Sequence, residues 1–185
     1  MREKDANRPL IVFYSYSGNT CRIAEALWRL TGGEQREIYP LRPYPAAFPE
    51  LLEQVQREVR EKYCPRLILP SVSADRYDVI FVGSPNWCGT IAPPLYAWLR
   101  LQNLSGKTVM PFCSHCGGVP GNMRRDVARL CPEADVREPL SVISGGGEAL
   151  GEKAARWLEE NGMKWQEWCM DVRQGVRGAP EYEPG

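Results

Sequence analysis

The sequence predicts a doubly wound α/β domain: a five-stranded parallel sheet covered by helices on both faces. Three observations lead there. Five short β-branched and aromatic runs alternate with five stretches of helical spacing, the rhythm of repeated strand–helix–strand crossovers. Two of those runs, Leu10–Tyr14 and Tyr77–Val82, are apolar on both pleat faces, as strands between two helical layers must be. Finally, 185 residues with 43% hydrophobic and 25% charged side chains furnish one continuous core and leave no mass for a second.

The elements follow in order. Strand one is Leu10–Tyr14. Helix one, Thr20–Leu30, puts Ile23, Ala24, Leu27 and Leu30 on one side and stops at Gly32-Gly33, a glycine helix end. Strand two is Glu37–Tyr39. Leu41–Pro49 carries Pro43, Pro45 and Pro49 and must run as an extended connector. Helix two, Glu50–Tyr63, gathers Leu51, Leu52, Val55 and Val59 on one face. Strand three is Tyr77–Val82. Pro93-Pro94 opens helix three, because proline suits the first helical position, and Leu95–Leu101 continues it. Strand four (Thr108–Cys113), helix four (Val119–Leu130), strand five (Pro139–Ile143) and helix five (Glu148–Glu160) complete the domain, residues 1–160. Residues 161–185 form an extension: Trp165 and Trp168 share one side of a short helix or a dimer contact, and Asp171–Gly185 is an aperiodic, Gly/Pro-rich tail.

Lys plus Arg and Asp plus Glu each number 23, so the formal net charge is zero. That removes the clustered positive field that nucleic acid or an anionic membrane requires. No apolar run reaches the roughly 20 residues of a membrane-spanning helix. Seven cysteines, an odd count, do not read as a secreted disulfide framework. The expectation is a cytoplasmic protein with reduced thiols.

The chemistry gathers where strand one enters helix one, at Ser15-Tyr16-Ser17-Gly18-Asn19-Thr20. Backbone N–H groups at a helix start are unpaired, and the helix dipole favours negative charge there. Ser15, Ser17 and Thr20 add hydroxyls, Asn19 an amide, and Gly18 lets backbone approach closely. Walker and dinucleotide loops do not fit, because the segment has neither their lysine nor their three glycines. Hydroxyls and amides without a cation suit a terminal phosphate monoester. Simple helix capping by Ser, Thr or Asn is the plainer reading, but five polar or glycine positions in six exceed what capping needs.

Here the chain resembles the flavodoxin-like family, from about Leu10 to about Leu158. In that family a Ser/Thr-x-Ser/Thr-Gly-x-Thr loop holds the FMN phosphate, matched by Ser15–Thr20. Two further loops hold the isoalloxazine ring; they correspond to Ser84-Pro85-Asn86-Trp87-Cys88-Gly89-Thr90 and to Ser114-His115-Cys116-Gly117-Gly118-Val119-Pro120-Gly121-Asn122. The resemblance implies strand order 2-1-3-4-5 in a three-layer sandwich, with FMN at the carboxyl ends of strands 1, 3 and 4. It also implies electron transfer to a redox partner protein or small-molecule acceptor, with a homodimer compatible.

Within that frame Trp87, set in a loop between Pro85-Asn86 and Gly89, is expected to stack on the flavin; packing into the core is the alternative. Ser114–Asn122 has no tyrosine where many flavodoxins place one, which leaves that ring face open. Cys88 stands where many carry glycine. In the family a peptide there flips to meet the reduced flavin, and a side chain at Cys88 makes that flip costlier unless Gly89 takes the role. The neutral net charge also departs from the acidic carriers. Pro85-x-Trp87 with Pro93 looks like the ring loop of NAD(P)H:quinone reductases of this fold.

Three readings therefore stand beside the electron carrier: an FMN-dependent NAD(P)H:quinone-type reductase, a non-redox binder of another phosphorylated ligand, and a thiol enzyme using Cys113 and Cys116. The last fits poorly, because that pair follows a strand instead of opening a helix, and no second ligand pair completes a zinc site. Cys131 and Arg137 share a phosphatase-like spacing without its glycine loop. His115, the only histidine, donates to the ring or simply bonds backbone. Tyr44, in the proline-rich connector, is placed to fold over the phosphate side, but no local feature fixes its direction.

Overall fold

The computed structural model describes residues 8–68, 73–117 and 121–163. Its elements are β1 (Leu10–Phe13), α1 (Asn19–Thr31), β2 (Glu34–Glu37), α2 (Phe48–Glu61), β3 (Val79–Trp87), β4 (Thr90–Ile91), α3 (Pro93–Leu99), β5 (Thr108–His115), α4 (Met123–Leu130), β6 (Asp135–Val136), β7 (Leu140–Ile143) and α5 (Leu150–Glu160). The parallel sheet runs β2-β1-β3-β5, and β6 and β7 both pair with the far side of β5. The order 2-1-3-4-5 therefore holds, with the fifth strand delivered in two pieces.

Alternation along β1 sorts the layers. Leu10 and Val12 face a core with Leu51 and Val55 of α2, Leu95 and Trp98 of α3 and Val127 of α4. Ile11 and Phe13 face the other, with Ile23 and Leu27 of α1 and Trp157 and Leu158 of α5. Period-two backbone geometry makes one strand serve two cores. The sheet interior is tight at Gly83, which pairs with Phe112. A Cβ there would lie 2.1 Å from the Phe112 ring.

Several boundaries differ from the expectation. Strand two is Glu34–Glu37 instead of Glu37–Tyr39. It is a polar edge strand whose position is set by pairing Leu10 with Glu34 through Phe13 with Glu37, while Tyr39 points to solvent. Charged edges are usual, so β-propensity placed the strand too late, with only Glu37 common to both ranges. Helix one ends as expected, with Gly32 left-handed at φ 62° and its N–H on Trp28 O. Helix three closes at Leu99, after which Leu101 and Gln102 turn tightly onto the Trp98 and Leu99 carbonyls. The described part of helix four begins at Met123, not Val119. Residues 118–120 lie outside the described residues, as do Trp165, Trp168 and the tail from 164 onward.

Candidate functional site

The turn between β1 and α1 opens at the carboxyl end of β1, the strand between β2 and β3. Gly18 sits left-handed at φ 83° as the residue before α1, with nothing within 4 Å of where a Cβ would be. Among the described residues, the backbone N–H groups of Tyr16, Ser17, Gly18, Asn19 and Thr20 have no protein acceptor; the first bonded N–H groups are those of Cys21, on Ser15 Oγ at 3.2 Å, and Arg22, on Gly18 O. The result is a row of free donors at a helix start, with no lysine or arginine among residues 15–20.

The side chains divide their roles. Ser15 caps, accepting from Cys21. Asn19 Nδ2 donates to Ser17 Oγ at 3.1 Å, which fixes both at the mouth, and the Ser17 residue is exposed. Thr20 is 1% exposed and its hydroxyl lies 2.9 Å from Ser114 Oγ. Thr20 and Ser114 thus tie the first turn of α1 to the end of β5 from within; their hydroxyls are engaged with each other.

Residues 85–87 are not a loop. They are the end of β3, which turns at Cys88-Gly89 and pairs antiparallel with β4, Trp87 opposite Thr90. Both turn residues have positive φ, Cys88 at 52° and Gly89 at 80°, the type I′ hairpin turn. Two-residue turns favour Asn-Gly for this reason, and Cys at the first position is strained. The second loop docks on the hairpin: Asn122 N–H donates to Gly89 O at 2.8 Å. Gly121 packs so close that a Cβ would lie 2.5 Å from Asn86 Oδ1. That Asn86 oxygen is buried and has no hydrogen-bond partner among the described residues.

Trp87 packs edge-on against three tyrosines: Tyr44 at 4.9 Å, Tyr14 at 5.6 Å and Tyr16 at 5.8 Å between centroids. Tyr16 also donates to Pro45 O at 2.6 Å, so the β1–α1 turn holds the proline connector. Tyr44, undirected in the sequence, is 8% exposed and donates to Glu58 Oε2 at 2.6 Å. Burial first, then the Glu58 contact, push its phenol well above the ordinary tyrosine range. Burial does the same to Tyr14. Tyr14 and Glu58 carry no sequence signal as neighbours of this turn, and the proline-rich connector that singles out Tyr44 carries no direction.

The remaining expected residues are placed as follows. His115 Nδ1 accepts from Gly117 N–H at 3.2 Å, the plain backbone contact. Cys116 and Cys88 are exposed and Cys113 is buried, and burial raises the Cys88 and Cys113 thiols, opposite to an activated nucleophile. Pro85, Asn86, Gly89 and Thr90 lie in the hairpin, and Gly117 follows β5 at positive φ. Gly118 lies outside the described residues. Among the described residues there is no cluster able to hold a metal ion and no helix long and apolar enough to cross a membrane.

Comparison with known proteins adds to this geometry. A family model described as flavodoxin matches residues 8–161. A solved protein described as a flavoprotein, from Bacteroides eggerthii, superposes with a TM-score of 0.75 at 25% identity, covering 85% of this chain and 99% of that one. Another described in the same way, from Bacteroides uniformis, gives 0.71 at 22% identity, with 83% and 99% covered. A flavoprotein in complex with FMN from Lactobacillus acidophilus gives 0.65 at 20% identity, with 82% and 99% covered. The last two likenesses speak to the fold alone. No curated protein matches the chain.

Proposed function

The chain belongs to the flavodoxin family, and from that premise we propose that it binds FMN at the carboxyl ends of β1, β3 and β5 and moves electrons through it. The observation that carries the reading is the row of acceptor-free N–H groups from Tyr16 to Thr20. The donor set fits the group: five amides and the Ser17 hydroxyl suit a phosphate dianion. On the ring side, the buried Asn86 Oδ1 without a partner suits a ligand that brings an N–H.

FMN supplies reversible electron transfer in one- or two-electron steps. The chain's own residues do the rest. Tyr16–Thr20 neutralise the phosphate, and Thr20–Ser114 fixes that turn against the end of β5. Pro85–Thr90 and Ser114–Asn122 hold the ring, with Trp87 as its aromatic neighbour.

A second reading, the two-electron NAD(P)H:quinone-type reductase, is favoured by the Cys88–Gly89 turn. Rotating its central peptide converts type I′ to type II′, which calls for glycine at the first position. Cys88 occupies that position. The hairpin therefore resists the rotation that a one-electron carrier of this family exploits.

Parallel calorimetric titrations with FMN and riboflavin test the phosphate site. FMN is expected to bind at least about 100-fold tighter, since charge-assisted hydrogen bonds are the strong ones. Equal affinities overturn the phosphate assignment, and no binding of either returns the non-redox alternative. Anaerobic mixing of the FMN-loaded protein with NADPH then separates the two redox readings: rapid bleaching without a partner protein identifies the reductase.

A further inference from the structure

A cavity of about 470 Å³ lies between α2, the β3–β4 hairpin and α4, within the range of small-molecule sites. Val59, Ile91, Leu130 and Tyr96 make part of its lining apolar and aromatic. One wall is the tip of the hairpin, Cys88–Thr90. The charges around it are unequally committed. Of the two acids, Glu58 already accepts from Tyr44 at 2.6 Å and Gln54 at 2.8 Å. Asp126 accepts from the Thr90 hydroxyl at 2.6 Å and faces Arg125 at 3.6 Å. The other two cations, Lys62 and Arg129, have no acid within ion-pair reach among the described residues.

Lys62 ends α2 in a left-handed conformation, φ 52°, and Arg129 lies in the last turn of α4. Two exposed, uncommitted cations, one at the end of α2 and one in α4, thus border one partly apolar cavity. A hydrophobic ring matches the apolar part of that lining, and an anionic substituent pairs with the two cations at its border.

We propose that this cavity binds an aromatic carboxylate, a conjugated ring system whose carboxyl group is met by Lys62 and Arg129. The site is separate from the phosphate turn at Ser15–Thr20, and the proposal does not depend on FMN being the cofactor. Its hairpin wall, Cys88–Thr90, and Asn122 are shared with the proposed ring site.

The probe is naphthalene-2-carboxylate, titrated calorimetrically into the full chain with and without saturating FMN, beside its neutral isostere naphthalene-2-carboxamide. The carboxylate is expected to bind with and without FMN, and the amide at least about tenfold more weakly. Lys62→Met and Arg129→Met are each expected to weaken the carboxylate about tenfold, as loss of a hydrogen bond to a charged group implies, and to leave the amide unchanged. Unchanged FMN affinity and melting temperature in both variants show that fold and cofactor site are intact. No binding of the carboxylate, equal binding of acid and amide, loss of binding when FMN is added, or indifference to both substitutions overturns the proposal. Failure of FMN to bind overturns the cofactor reading and leaves this one standing.

Discussion

The hydroxyls of Thr20 and Ser114 lie 2.9 Å apart across 94 positions of chain. One stands in the first turn of α1 and the other near the end of β5, both shut away from solvent. Each satisfies the other, and removal of either strands its partner in the interior. Thr20→Val or Ser114→Ala is therefore expected to cost about 1–3 kcal/mol. The double variant should cost clearly less than the sum, because no orphaned hydroxyl remains. Urea unfolding of the four proteins measures the coupling, and strictly additive losses contradict the pairing.

Features decided by local chemistry were legible in the sequence. The glycine end of α1 needed a left-handed residue and has Gly32; the turn after β1 carries hydroxyls, acceptor-free amides and a left-handed Gly18, and the segment spells them out. Features decided by partners were not. Glu34–Glu37 is a strand because β1 offers it a ladder, not because those side chains prefer it. Trp87 read as a loop residue because Pro85 and Gly89 flank it. The strand persists through it because β5 pairs with Pro85 and β4 pairs back on Trp87. Its three tyrosine neighbours come from two other segments of chain, which no local pattern brings together.

Gly83 shows how little slack the sheet allows. A methyl group there would lie 2.1–2.8 Å from three atoms of the Phe112 ring. Gly83→Ala is expected to cost about 3 kcal/mol or more, at the upper end of overpacking penalties. Phe112→Leu in the same chain should recover part of that loss by removing the ring. Thermal melting of the single and double variants checks it; an unperturbed Gly83→Ala melting temperature contradicts the packing.

The β3–β4 turn makes two opposed predictions. Cys88, at φ 52°, carries a side chain in a conformation that costs an L-residue about 1–2 kcal/mol. Cys88→Gly should therefore stabilise the fold by about 0.5–1 kcal/mol after glycine's added chain entropy. Gly89→Ala should destabilise it by about 1–2 kcal/mol on dihedral grounds alone, since nothing lies within 4 Å of its Cβ position. Denaturation midpoints give the signs. In FMN-loaded protein, Cys88→Gly also frees the turn to rotate, so photoreduction should pass through a longer one-electron stage than in the unsubstituted chain.

Buried thiols give the fold an alkaline limit. Burial raises Cys131 from 9.0 to about 11 and raises Cys113 as well, with the Ser141 hydroxyl working against it. The folded state keeps these thiols protonated where the unfolded chain lets them ionise. Their contribution is therefore complete below pH 9 and is lost as pH climbs from about 9 toward 11. Tyr39, pushed up to about 12 first by its bond to Glu37, and the raised phenols of Tyr14, Tyr44 and Tyr77 act with the same sign. Their loss starts only near pH 10, where unfolded tyrosine ionises. The interval from pH 9 to 10 thus belongs to the thiols. Urea midpoints should be level from pH 7 to 8.5 and fall through that interval, and Cys131→Ala should shallow the fall while leaving the tyrosine-dependent decline above pH 10. A decline of equal steepness in Cys131→Ala would show that this thiol ionises as freely in the fold as outside it.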